Sequence, residues 1–233
     1  MNLSNIDAVI KQLIASHTTI STMESCTSGL IASLITDTEG ASAIFPGGYV
    51  TYLNETKILV GVDPSIIRQY GVYSPECAEA MARTVQANLH TDIAIGITGT
   101  TGNLDPNNAD SVRGCVYFCI FLQNQAHTFT YQADVSGMSR HEIKQLYAGQ
   151  VFAELETLLH LHSCVRKCPA SCIWSKLFCR SASYSTIATE FDKFSDRMSL
   201  IIGMRTAVSW LSYRIFSGIP ALSFPNMIKQ SSS

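Results

Sequence analysis

A serine and a cysteine stand side by side in the stretch Thr22-Met23-Glu24-Ser25-Cys26-Thr27-Ser28-Gly29, with an acid immediately before them. Either side chain can attack an electrophilic carbon once its proton has somewhere to go, the alcohol depending on a base far more than the thiol does. The stretch lies between an extended run, Thr18 to Thr22, and an apolar helical run, Leu30 to Thr36. A strand that ends in a small, hydroxyl-rich turn and opens a helix aims free N–H groups and the positive end of the helix dipole beyond the sheet edge, at an anion or an oxyanion. The same pattern also serves as a plain N-cap, in which Ser or Thr only closes the first turn.

The elements that must position this stretch are legible on both sides of it. Ile6, Val9, Ile10, Leu13 and Ile14 follow the spacing of an amphipathic helix, with Ser4 as its expected cap. A helix is expected from about Thr27 to Thr36, a strand over Gly48 to Leu53, and a short helix over Glu55 to Leu59. Asp63-Pro64 and Ser74-Pro75 each read as a helix start, with a capping side chain followed by proline where its missing N–H costs nothing. The second of these helices turns Ala78, Met81, Ala82, Val85 and Leu89 inward, and the apolar run Ile93 to Ile97 after it suits a strand buried on both faces. Thr98-Gly99 ends that strand, and the long loop Thr100 to Val112 follows.

Strands over Cys115 to Leu122 and His127 to Ala133, joined through Gln123 to Ala126, form an expected hairpin. Ser139-Arg140-His141-Glu142 is a capping box opening a last helix that turns Ile143, Leu146, Tyr147, Val151, Leu155, Leu158 and Leu159 inward. This order predicts an α/β fold, a three-layer α/β/α sandwich on a mainly parallel mixed sheet with one antiparallel strand. Ligands of such sheets sit beyond the carboxyl ends of the strands, where Ser25 and Thr98 both fall.

The 233 residues, 46% of them hydrophobic, suffice for a core of ordinary size. No run of about 18 apolar residues lacks a charge, and no basic start with an apolar run and cleavage site opens the chain, so the expected location is the cytoplasm, away from membranes. Eight cysteines in that setting are expected as thiols rather than disulfides. The net charge of −2 conceals two unlike parts: residues 1–159 carry 7 Lys and Arg against 15 Asp and Glu, a balance of −8, and residues 160–233 carry 9 against 3, a balance of +6. Two domains are therefore expected, 1–160 as the α/β unit and 161–233 as an irregular, poorly ordered Cys- and Ser-rich basic extension. The extension is the one part in which nucleic-acid contact is an open expectation. Its His160, His162, Cys164, Cys168, Cys172 and Cys179 lack paired C-x-x-C knuckles, so no metal site is expected.

Glu24-Ser25-Cys26-Thr27-Ser28-Gly29 and Gly47-Gly48-Tyr49-Val50-Thr51-Tyr52-Leu53-Asn54-Glu55-Thr56-Lys57, with Gly71-Val72-Tyr73-Ser74, Ile97-Thr98-Gly99 and Arg140-His141-Glu142-Ile143-Lys144, resemble the CinA carboxy-terminal domain family over about residues 5–159. The resemblance implies a nicotinamide-nucleotide amidase, without a cofactor, acting on a small nucleotide as a homodimer. It implies Ser25, Tyr52 and Lys57 as the catalytic set, with substrate contacts from Glu24, Cys26, Thr27, Thr98, Gly99 and Arg140. A buried lysine can take the serine proton, a tyrosine can relay it, N–H groups after Ser25 can hold an oxyanion with help from the Thr98-Gly99 turn, and Arg140 can pair with the substrate phosphate. The plain readings beside these are a solvated Lys57, a packed Tyr52 and a surface Arg140.

Two departures stand out, Ser28 in place of the family's glycine and the sequence Thr100 to Asn108 in place of its glycine- and proline-rich loop. The alternative they leave open is a catalytically inactive nucleotide-binding or protein-interaction module. With no counterpart of the pyrophosphatase-like part of longer members, pyrophosphate hydrolysis is not expected.

Overall fold

A computed structural model describes residues 3–102, 108 and 111–167. The expectations for the extension beyond Lys167 and for loop positions 103–107, 109 and 110 lie outside the described residues. Five strands, β1 (Ile20–Glu24), β2 (Gly48–Val50), β3 (Ile93–Gly99), β4 (Cys115–Leu122) and β5 (Gln125–Gln132), form one sheet in the order β2-β1-β3-β4-β5. β1 pairs in parallel with β2 and β3, and only β4 runs against its neighbours. The expected mixed sheet with one reversed strand is therefore present.

Helices cover both faces. α1 (Leu3–Ala15), α2 (Leu30–Thr36) and α6 (Arg140–Lys167) share a core with Ile20, Ile93, Ile95, Ile97, Val116 and Phe118. On the other face α4 (Pro64–Tyr70) and α5 (Pro75–Leu89) pack on Met23, Ala94, Cys119 and Phe121, and α3 (Asn54–Leu59) follows β2. Alternate residues of a strand point to opposite faces, so the single apolar run of β3 serves both cores.

Several boundaries differ from expectation for identifiable reasons. β1 starts two residues later, because the chain first closes α1 through the bond from Thr18 N to Leu13 O. α1 begins at Leu3, so Ser4 lies within the helix rather than at its cap. β2 keeps only three residues, and beyond it the backbone turns into α3, leaving Tyr52 and Leu53 more than half exposed. The hairpin turn is two residues instead of four: Gln123 and Asn124 have φ of 52° and 63°, a paired left-handed turn that lets Leu122 pair directly with Gln125. Leu146 and Leu159 are half-buried, while Ala148 and Phe152 join the core beside Ile143, Tyr147 and Val151.

The capping residues behave as their types require. Asp63 accepts from Ser65 N at 2.8 Å and Ser74 from Cys77 N at 3.1 Å. The box before α6 is closed both ways, Ser139 N donating to Glu142 Oε2 at 2.7 Å and Glu142 N to Ser139 Oγ at 3.3 Å. α5 crosses β3 where the strand has no side chain. A Cβ on Gly96 would stand 2.2 Å from the Ala78 carbonyl oxygen and 2.5 Å from the Ala82 nitrogen. Gly96→Ala is therefore expected to push α5 off the sheet and lose about 1–3 kcal/mol, read as a lower urea midpoint with an unchanged denaturant slope.

Candidate active site

The ladder that binds β1 to β3 runs one residue past the strand, through the bond from Ser25 N to Ile97 O at 3.0 Å. That bond holds Ser25 in the alternation of the strand, which sends successive side chains to opposite faces. Cys26 joins the core under α1, α2 and α6. The serine meets a lysine on the other side. Lys57 on α3 is 1% exposed, and its Nζ lies 3.2 Å from Ser25 Oγ and 2.8 Å from the Thr51 carbonyl oxygen, to which it donates. Among the described residues no carboxylate is within ion-pair distance of that nitrogen. Burial is the main influence on the amine and lowers its pKa below the ordinary 10.5; the nearest groups acting the other way are Cys77, Cys26 and Glu55.

β2 is the brace that makes this contact. It approaches β1 so closely at Gly48 that a Cβ there would stand 2.4 Å from Thr22 Oγ1 and 2.5 Å from Thr22 O. The bond from Thr51 N to Glu24 O, 2.8 Å, fixes the residue whose carbonyl holds Lys57. Thr51 did not stand among the residues expected at the site. Its signal in the sequence was only its position, inside the motif that links Gly47 to Lys57.

Cys26 and Ser25 differ sharply in what surrounds them. The thiol is 4% exposed and burial pushes its pKa up to about 12, so it is a protonated core group and not an activated thiolate. The helix end beside it is occupied by another side chain. Glu24, expected to face substrate, is 1% exposed and turns its carboxylate onto α2, where Oε2 accepts from Gly29 N at 3.0 Å and Ile31 N at 3.1 Å and Oε1 from Ala32 N at 2.8 Å. Glu24 is thus the cap of α2, and those N–H groups are not open to a ligand. Ser28 N and Leu30 N close local turns onto Ser25 O and Thr27 O. The N–H groups of Cys26 and Thr27, next to Ser25 in the chain, donate to no backbone carbonyl among the described residues and act on the Cys26 thiol.

The other expected residues divide between the two ends of the site. Thr98 is fully buried and its hydroxyl donates to Val72 O at 2.9 Å, tying β3 to the loop before α5. Gly99 is where β4 passes closest, a Cβ there standing 2.6 Å from Cys115 O. These two residues therefore carry packing rather than a free donor side chain. Thr27 is buried and its hydroxyl has no partner. Tyr52 is exposed and its hydroxyl accepts from Arg140 Nη2 at 2.7 Å; among the described residues no hydrogen bond joins it to Ser25 or Lys57, which touch each other directly. Tyr147, which the sequence placed only in the core, ties α6 to the start of the long loop by donating to Thr100 O at 2.8 Å.

Ser28 has φ of +54°, the left-handed region that glycine adopts without strain, and its hydroxyl donates to Ser25 O at 3.3 Å. The departure from glycine at this position therefore keeps the turn. No group of three His, Cys, Asp or Glu side chains able to hold a metal occurs among the described residues, and none of their helices is long and apolar enough to cross a membrane.

Comparison with known proteins agrees with this architecture. The CinA C-terminal domain family matches residues 3–159. A Mycoplasma pneumoniae protein is 34% identical over 152 residues, 65% of this chain and 94% of its own length. A Moorella thermoacetica protein named for competence-damage induction is 45% identical over 114 residues, 48% of this chain, and there the match spans only 27% of the relative. Among solved structures, the CinA superfamily protein of Escherichia coli superposes with a TM-score of 0.60 at 25% identity, covering 66% of this chain and 88% of that one.

The buried amine makes stability depend on pH in a definite direction. Between the depressed pKa of folded Lys57 and 10.5, the unfolded lysine holds a proton that the folded one has released, so stability rises with pH across that window. Cys26 and Cys77, whose pKa values are raised from 9.0, act in the opposite sense above that value. Lys57→Met removes only the first effect. Urea unfolding at a series of pH values should show wild type gaining on Lys57→Met as pH climbs from neutrality toward about 10.

Proposed function

The chain belongs to the CinA family through its C-terminal-domain region, and on that premise we propose that it is an amidohydrolase converting nicotinamide mononucleotide and water to nicotinate mononucleotide and ammonia. The observation that carries the reading is the buried 3.2 Å contact between Lys57 Nζ and Ser25 Oγ. Burial lowers the pKa of this amine, shifting it toward the neutral form, and a neutral amine is a base.

The reaction then follows from the groups present. Lys57 accepts the hydroxyl proton as Ser25 Oγ bonds to the carboxamide carbon, and the carbonyl π electrons move onto oxygen. In this reading Cys26 N–H and Thr27 N–H, which bond no backbone carbonyl among the described residues, turn from the thiol to that oxyanion. Collapse breaks the C–N bond, the Lys57 ammonium returns its proton to the leaving nitrogen, and ammonia departs, leaving an ester on Ser25. Water, deprotonated by Lys57, attacks the ester carbon, and the carboxylate leaves as Ser25 recovers its proton. Water is the only co-reactant. Arg140, exposed and already oriented by Tyr52, supplies guanidinium N–H groups suited to a phosphate.

Glu24 caps α2 in this scheme, and Cys26 contributes its backbone and not its thiol. Ser25→Ala should abolish ammonia release from nicotinamide mononucleotide, while Cys26→Ala keeps a substantial part of it. Arg140→Ala should act mainly on KM, because a contact with a non-reacting phosphate is equally strong in ground and transition states. Steady-state ammonia assays on the three purified variants decide the matter; an active Ser25→Ala beside a folded but inactive Cys26→Ala would reverse the nucleophile, and no turnover by wild type would leave a nucleotide-binding or interaction module.

A further inference from the structure

The catalytic reading leaves unexplained a fully buried polar atom on the residue whose carbonyl holds Lys57. Thr51 is 1% exposed, and its hydroxyl oxygen has no hydrogen-bond partner. Its backbone is held at both ends, the N–H by Glu24 O at 2.8 Å and the C=O by Lys57 Nζ at 2.8 Å. Rotation about Cα–Cβ is the freedom that remains. Valine has nearly the same shape and would remove an unpaired hydroxyl that is unfavourable in a packed interior.

We propose that Thr51 is a positioning residue for Lys57, its hydroxyl being the acceptor that the amine lacks at rest and needs once it carries the proton of Ser25. The inference rests on the amidase reading of the Ser25–Lys57 pair. A neutral primary amine has two N–H bonds and one lone pair; one N–H goes to Thr51 O, and to take the Ser25 proton across the 3.2 Å contact the amine must turn its lone pair to that hydroxyl. The ammonium has three N–H bonds and no lone pair. Thr51 O and Ser25 Oγ can accept two of them, and the third finds no other acceptor in contact among the described residues.

The titratable groups whose charge acts on this nitrogen are Cys77 on α5, Cys26 after β1, which packs in the opposite core, and Glu55 on α3 itself. Both thiols stay protonated through burial and are weak acceptors, and Glu55 forms no ion pair with Nζ. The Thr51 hydroxyl stands on the residue that already touches the amine. Turning toward it, the hydroxyl accepts the third N–H only in the protonated state, so the contact belongs to the transition state and the ammonium, and not to the resting enzyme.

The test is the titration of Lys57 in the full chain, followed through the Cε resonance of protein labelled with carbon-13 lysine and assigned by its loss in Lys57→Met. It is run beside pH profiles of ammonia release. Thr51→Val should move the Lys57 midpoint to lower pH and lower kcat about ten- to a hundred-fold with KM unchanged, without loss of stability. Thr51→Ala carries the same expectation for the midpoint if valine does not fit, and Thr51→Ser, which keeps the hydroxyl, should restore the wild-type titration. A folded Thr51→Val and Thr51→Ala that titrate at the wild-type midpoint would overturn the proposal. Should wild type release no ammonia, the amidase reading fails by itself, and the resonance still decides whether Thr51 holds the charged lysine.

Discussion

A lysine amine is buried against a serine hydroxyl with no carboxylate among the described residues to neutralise it, and much of the surrounding structure serves that one unfavourable placement. Ionisation at such a site is costly, and burial draws the amine's pKa below its ordinary value. What compensates is backbone: the Thr51 carbonyl takes one N–H, and β2 is held tightly enough against β1 to keep that carbonyl in place. The three-residue β2 is too short to contribute much core of its own. Its value lies in the register Glu24↔Val50, which sets Thr51, and through it Lys57, beside the end of β1.

The turn after β1 shows how one helix end can be closed to ligands. An N-terminus following a strand is a ready anion site, yet here the protein supplies the anion itself. Glu24 folds back from the last position of the strand and satisfies the N–H of Gly29, just before α2, and two N–H groups of α2 itself. The carboxylate is thereby turned onto the helix and away from Lys57. The neighbouring thiol lies in the core under that helix, buried and protonated. Two candidate nucleophiles adjacent in sequence thus acquire opposite chemistry because alternate positions of a strand face different cores.

Amphipathic spacing, proline-preceded caps and the capping box before α6 made the helices legible, and the apolar run of β3 announced a central strand. The layered architecture follows from those local patterns, each of which acts within one or two turns or one strand. The motif from Gly47 to Lys57 likewise pointed to the lysine, and the small turn after β1 to the serine. Short elements and turns were harder, since the end of β2 and the two-residue hairpin turn at Gln123-Asn124 are set by pairing with distant strands and not by their own residues.

The sequence by itself therefore determined which elements exist, which of their faces are apolar, and that Ser25 and Cys26 stand where a strand becomes a helix. Only tertiary structure decided what each polar group is free to do. Glu24 has the same carboxylate in either role, and it is the nearness of α2 that makes it a cap. Tyr52 and Lys57 are five residues apart on one motif, yet one faces solvent with Arg140 and the other is sealed against Ser25. Thr51 offered no chemical signature until its carbonyl was found on the amine. Hydrogen bonds between residues remote in sequence depend on distances of a few tenths of an ångström, and those distances are fixed by packing of the whole sheet rather than by any local pattern.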